Sequence, residues 1–210
     1  MKIKIVMNSV IDELWEKSRS LVEHPFWDIV RTEHHDDFLQ NCVARLQYDA
    51  DYIIWMEEDV FVFNRKVIID TINRMQVNDL DFIAMPELGG SSHRAHYPGV
   101  RSFCMFFCIF KMKNIKPLGI TKQALQKFPK ILSSDEAHWA FFDYLESRGM
   151  KYLPFAGKDW NEKGGDGLST WVISPAGAEF ALHTWYAREY QDHKARIQNA
   201  YVKAKELYVN

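Results

Sequence analysis

Hydrophobic positions change period several times along the chain, and those changes mark its elements. Lys2 to Met7 reads as a strand. Apolar residues then recur at Ile11, Leu14, Trp15, Leu21 and Val22, with the small Ser18 on the same face. That is helical spacing, and Pro25 closes the helix. Trp27 to Arg31 predicts a short second strand, and the polar loop Thr32-Glu33-His34-His35-Asp36 follows. Phe38, Leu39, Cys42, Val43 and Leu46 share a face of a second helix, which Asp36 or Asp37 is placed to cap. Tyr52 to Met56 is nearly continuous in apolar residues, the pattern of a strand buried on both faces. It ends in Glu57-Glu58-Asp59, and Val60 to Phe63 is read as its continuation.

The second half is read in the same way. Val67, Ile68, Ile69, Ile72 and Met75 mark a third helix, and Asp81 to Met85 another strand. Phe103 to Met112 is strongly β-forming, 134–148 predicts a helix, and Lys151 to Phe155 and Thr170 to Ile173 predict strands around a Gly-rich loop at 157–168. Ser174-Pro175 has the chemistry of an N-cap followed by a first helical residue. Strands alternating with helices predict an α/β fold, a mostly parallel central sheet flanked by helices with a C-terminal helical extension. Ligands of such sheets sit beyond the carboxyl ends of the strands, where the acidic cluster falls.

Composition narrows the function classes. A hydrophobic share of 47% in 210 residues supports one packed domain, drawn here as 1–190 with a helical tail at 191–210. The net charge of −2 lacks the basic excess of a chain that holds nucleic acid by its phosphates, so nucleic acid enters only as an acceptor substrate. The three cysteines, Cys42, Cys104 and Cys108, form no zinc-like set and suit a reducing compartment. No apolar run spans a bilayer, and the N-terminus is too short and polar for a signal peptide, so a cytoplasmic location is expected.

Three consecutive acids at the end of a buried strand repel one another, and burial raises the cost of their charge. A divalent cation relieves both, because hard cations take carboxylate oxygens. In an extended segment Glu57 and Asp59 share a face while Glu58 points elsewhere. The plain alternative is a solvated strand end met by Lys or Arg.

The segment DYIIWMEEDVFVF, preceded by LQNCVARLQYDA, resembles the GT-A class of glycosyltransferases. There a helix leads into an apolar strand ending in an Asp-x-Asp motif, whose acids hold a manganese or magnesium ion bridging a nucleotide-sugar diphosphate. Here Glu57 replaces the first Asp, which leaves Asp59 the more direct ligand. RSFCMFFCIFKMKNI, SSDEAHWAFFDYLESRGMKYLPF and TWVISPAGAEFALHTW resemble later elements of the class, in order. The stretch from His183 through Trp185 to Arg188 resembles the C-terminal His motif of several branches. The resemblance implies His183 as a third metal ligand and Arg188 on the donor phosphates; the plainer alternative makes His183 and Trp185 packing residues of a helix.

The same resemblance assigns Asp135 or Glu136 as general base or acceptor-binding carboxylate, beside their plainer role at a helix N-terminus. It places Asn8 and Glu33 at the nucleoside and Glu58 and Trp185 at the donor. It implies a UDP-sugar donor, a Mn²⁺ or Mg²⁺ cofactor, and a glycan or modified DNA base as acceptor. His34-His35 beside Asp36-Asp37 is a separate metal candidate, disfavoured because adjacent histidines rarely share one ion. The loop 89–99 is either a closing loop or a structural one. Lys158, Asp159, Trp160 and Asp166 lie in a loop where Trp160 either stacks on a ligand or plugs the core. The alternatives are a nucleotidyltransferase of similar fold, although residues 7–17 lack its usual glycine, and a non-catalytic carbohydrate-binding or scaffold protein.

Overall fold

The computed structural model describes residues 1–32, 38–86, 103–127, 137–185 and 187–209. Its centre is a six-stranded sheet built from β1 (Ile3–Asn8), β2 (Trp27–Thr32), β3 (Tyr52–Glu57), β5 (Phe82–Pro86), β6 (Phe103–Lys111) and β7 (Tyr152–Pro154), in the order β2-β1-β3-β6-β5-β7. β1 pairs in parallel with both β2 and β3, and β5 with β7, while β6 runs antiparallel to its neighbours β3 and β5. The mostly parallel α/β sheet is therefore present, with helices on its faces.

Both faces are buried, which explains the unbroken apolar runs. Ile3, Ile5, Met7, Ile54 and Met56 point to one side, where they meet Ile68, Ile72 and Met75 of α3 (Arg65–Val77). Val6, Ile53, Trp55, Phe82 and Phe110 point to the other. There they pack on α2 (Phe38–Arg45), Leu125 of α5 (Lys122–Lys127) and Phe141, Phe142 and Leu145 of α6 (Ala137–Ser147). Between β6 and α5 lies the single-turn α4 (Met112–Ile115).

Val60 to Phe63 does not prolong β3. The chain turns at Glu58-Asp59, and β4 (Val60–Val62) joins a second sheet with β8 (Ala156–Asp159), β9 (Thr170–Ile173) and β10 (Glu179–His183), in the antiparallel order β4-β10-β9-β8. The start of the Gly-rich loop is thus the strand β8. Nor does Ser174-Pro175 start a helix: residues 174–178 are the turn between β9 and β10. The Ser174 amide donates to the Ala178 carbonyl at 2.8 Å, the Ala178 amide donates to Ser174 Oγ at 3.2 Å, and Gly177 takes φ +85°. A serine before proline opens a turn as readily as a helix, and a glycine three residues on settles it here.

α1 (Asp12–Val22) and α7 (Tyr190–Glu206) cover the second sheet, with Leu14 and Leu21 from the first helix and Ile197, Ala200 and Ala204 from the second buried around Phe61, Trp171 and Leu182. Among the described residues no helix is long and apolar enough to cross a membrane.

Candidate metal centre

β1, β2 and β3 end together: in register, Asn8 lies beside both Thr32 and Glu57. The turn after Glu57 is fastened on both sides. The Glu58 amide donates to the Asn8 carbonyl at 3.1 Å, and the Thr184 amide donates to the Asp59 carbonyl at 3.1 Å. The second bond joins the acidic turn to the end of β10, where His183 sits opposite Val60. In this way the switch of sheets delivers a histidine to the carboxylates.

Glu57, Asp59 and His183 each offer one ligand atom, and these atoms all lie within 4.8 Å of one another. Asp59 and His183 are buried, at 2% and 1% exposure, and Glu57 is partly buried. His183 Nε2 faces Asp59 Oδ1 at 3.4 Å. Among the described residues, neither Asp59 Oδ1 nor His183 Nδ1 has a hydrogen-bond partner. A carboxylate taken out of water carries a penalty on the order of several kcal/mol unless something compensates it. Two carboxylates and an imidazole with a buried oxygen still unsatisfied match the donor chemistry that Mn²⁺ accepts.

Two aromatic rings meet the imidazole. Phe106 stacks on it with ring centroids 3.8 Å apart and planes 17° apart, and Trp185 lies across it at 4.2 Å. Trp185 Nε1 donates to Thr170 Oγ1 at 3.0 Å. His183 ends a strand, not a helix, so the helix-packing alternative does not describe it.

The third acid has another occupation. Glu58 Oε2 accepts from Ser9 Oγ at 2.6 Å, from the Val10 amide at 3.1 Å and from the Ile11 amide at 2.9 Å. It ties down the loop that enters α1. Burial pushes its carboxyl above the ordinary glutamate range, although the bonds from Ser9, Ile11 and Val10 pull the other way. A carboxyl whose folded pKa is raised contributes stability at low pH and loses it as pH climbs above the ordinary 4.5 and through the folded value. Glu58→Gln keeps an acceptor for the amides without this titration. Urea unfolding at a series of pH values should therefore show the parent losing stability relative to the variant as pH rises from 4.5. A pH-independent difference would remove this account of Glu58.

Glu33, Asp135 and Glu136 lie outside the described residues, as do His34, His35, the loop 89–99 and the side chain of Arg188. Of the remaining expected residues, Asn8, Glu57, Asp59, His183 and Trp185 come together at one strand end. Trp160 is the plug, 4% exposed and edge-on to Trp171 at 5.8 Å, while Lys158 pairs with Glu162 at 2.7 Å.

Sequence reasoning missed Phe106, Thr184 and Arg45. The Arg45 guanidinium, 4% exposed, lies over the Trp55 ring at 5.5 Å. Burial lowers its pKa, offset in part by the charges of Cys42 and Glu57. Phe106 stood inside a run already read as strand, but nothing in that run says which ring would meet a histidine.

No family model matches the sequence, and no curated protein matches it. Among solved structures, the chain is similar to a glycosyltransferase involved in the glycosylation of the major capsid of PBCV-1, at 12% identity over 72% of this chain and 80% of the other, with a TM-score of 0.44. It is similar to A197 from STIV at 12% identity over 86% and 93%, TM-score 0.46. A cytidylyltransferase from Leptospira borgpetersenii serovar Hardjo-bovis shares 14% identity over 99% and 93%, TM-score 0.46. Sugar transferases and nucleotidyltransferases both stand among these neighbours.

Proposed function

We propose that the protein is a metal-dependent glycosyltransferase that moves a sugar from a nucleotide-diphosphate donor, a UDP-sugar, to an acceptor hydroxyl. The observation that carries this reading is the convergence of Glu57, Asp59 and His183 at the carboxyl ends of the parallel strands β1 and β3. Glu57, Asp59 and His183 would hold Mn²⁺ or Mg²⁺, which when bound supplies positive charge against the departing diphosphate.

The remaining roles belong to the chain's own groups. Asn8, in register with Glu57, would meet the nucleoside, with Glu33 following the end of the neighbouring strand. Trp185 shields His183 from water and offers its indole to the donor. Arg188, three residues on in sequence, suits the phosphates through its forked guanidinium. Asp135 or Glu136 takes the acceptor proton if configuration inverts, or binds the acceptor if it is retained. A glycan or a modified DNA base fits as acceptor.

The test is incubation with a panel of nucleotide-sugars and Mn²⁺, reading sugar released to water. Release that depends on the metal supports the proposal. Pyrophosphate formed from nucleoside triphosphates and sugar phosphates would replace it with nucleotidyl transfer. Neither product, with binding retained, would leave a carbohydrate-binding protein.

A further inference from the structure

Arg196 of α7 reaches back across the second sheet to the residues that follow His183. Its Nη2 donates to the Trp185 carbonyl at 2.8 Å, and its Nη1 donates to the Thr184 carbonyl, to Ser169 Oγ at 3.1 Å and to Asp166 Oδ2 at 3.2 Å. Only 12% of the Arg196 side chain and 16% of the Asp166 side chain remain exposed, so the pair is well shielded from solvent. Asp166 is itself braced: it accepts from the Leu168 amide at 2.9 Å, the Ser169 amide at 2.6 Å and Ser169 Oγ at 2.6 Å. The loop before it is equally constrained, since a Cβ on Gly165 would meet the Trp160 carbonyl at 2.1 Å.

What this brace holds is a strained backbone. Trp185 takes φ +54°, a left-handed conformation that a bulky side chain rarely adopts. Such a residue carries a penalty and persists only where its surroundings over-determine it. Trp185 is fixed at its carbonyl by Arg196, at its indole nitrogen by Thr170, and at its ring by Phe106 and His183. Thr184 is held by the Asp59 carbonyl on one side and by Arg196 on the other.

We propose that Arg196, backed by Asp166, is a positioning residue: by clamping the Thr184 and Trp185 carbonyls it sets the His183 imidazole against Asp59. As far as it concerns the metal, the inference rests on the reading of His183 as a ligand. The clamp itself is a matter of this chain alone. It makes the geometry of the site depend on the C-terminal helix and on the loop 160–169, neither of which supplies a ligand atom to the cluster.

Arg196→Lys separates this role from a simple ion pair. A lysine keeps the positive charge opposite Asp166, but a point charge on a flexible stem does not reproduce a planar fork spanning two carbonyls. The variant should fold, with a melting temperature close to the parent's. In the metal-free protein its Trp185 indole and His183 imidazole NMR signals should move, while the other tryptophan indoles hold still. Its Mn²⁺ affinity, titrated by the paramagnetic resonance of the free ion, should fall roughly 10–100-fold, the range found when an outer partner of a metal ligand is removed.

Unmoved Trp185 and His183 signals would overturn the clamp whatever the metal does. Shifted signals with unchanged Mn²⁺ affinity would overturn its role in setting the ligand. Shifted signals in a protein whose parent binds no Mn²⁺ would instead sink the metal reading and leave the clamp standing. Should Arg196→Lys fail to fold, Asp166→Asn, which keeps an oxygen for Ser169 while removing the charged brace, is judged by the same signals and the same titration.

Discussion

Asp59→Asn is expected to lower Mn²⁺-dependent turnover by more than roughly a hundredfold, the scale seen when one group that stabilises transition-state charge is lost. Asparagine occupies nearly the same volume, and the Thr184 amide donates to the main-chain carbonyl of residue 59, so that bond survives and the variant should fold. What disappears is a carboxylate that is 2% exposed, with Oδ1 facing His183 Nε2 at 3.4 Å. Thermal unfolding supplies the control. At Mn²⁺ a hundredfold above its dissociation constant, the parent should gain about 2.7 kcal/mol. The variant should gain far less. A variant that keeps both the Mn²⁺-dependent shift and turnover would mean that the cluster does not hold the ion.

The acidic strand end was legible because burial leaves a strong mark on sequence. Tyr52 to Met56 is apolar throughout since both faces of β3 are covered, and charges following such a run must lie at its end. The parallel order of β1, β2 and β3 followed from helices falling between them. The second sheet left no such mark. Phe180, Ala181 and Leu182 are all buried because β10 is a central strand, so the alternation that would distinguish strand from helix is missing. Val60 to Val62 follows the acids so closely that the turn between the sheets is invisible as a break in hydrophobicity.

Resemblance alone implies His183 as a third ligand, against the alternative of a packing residue on a helix, whereas its position is produced by a strand pairing with β4. Arg196 lay further out of reach. Its partners in the clamp are backbone carbonyls, which every residue carries, and no spacing of side chains announces them. The same holds for Glu58, which resemblance places at the donor and whose bonds run to Ser9 and to amides of the loop before α1. Side-chain chemistry is written locally, whereas a bond to the main chain depends on where the fold brings that main chain.

Trp55→Ala should produce the largest loss of stability, about 3–5 kcal/mol, as for other buried large aromatics truncated to alanine. Trp55 has no exposed surface; its ring packs on Phe110 at 4.6 Å and Phe141 at 5.3 Å, joining β3, β6 and α6. The truncation leaves a cavity and strips the ring from beneath the buried Arg45 guanidinium, so two penalties arise from one change. For a domain with about 5–15 kcal/mol of total stability, that is about a fifth of it or more. Trp55→Phe should lose less than half as much, because it keeps an aromatic face for Arg45 and removes an indole N–H that has no partner among the described residues. Urea unfolding of both variants checks the order. A loss below about 1 kcal/mol for Trp55→Ala would contradict a packed site here, since even one lost methylene is felt in a close-packed core. Because Glu57 follows Trp55 by two residues on the same strand, Trp55→Ala should also weaken Mn²⁺ binding at temperatures where it remains folded, whereas Trp55→Phe should leave it close to the parent's.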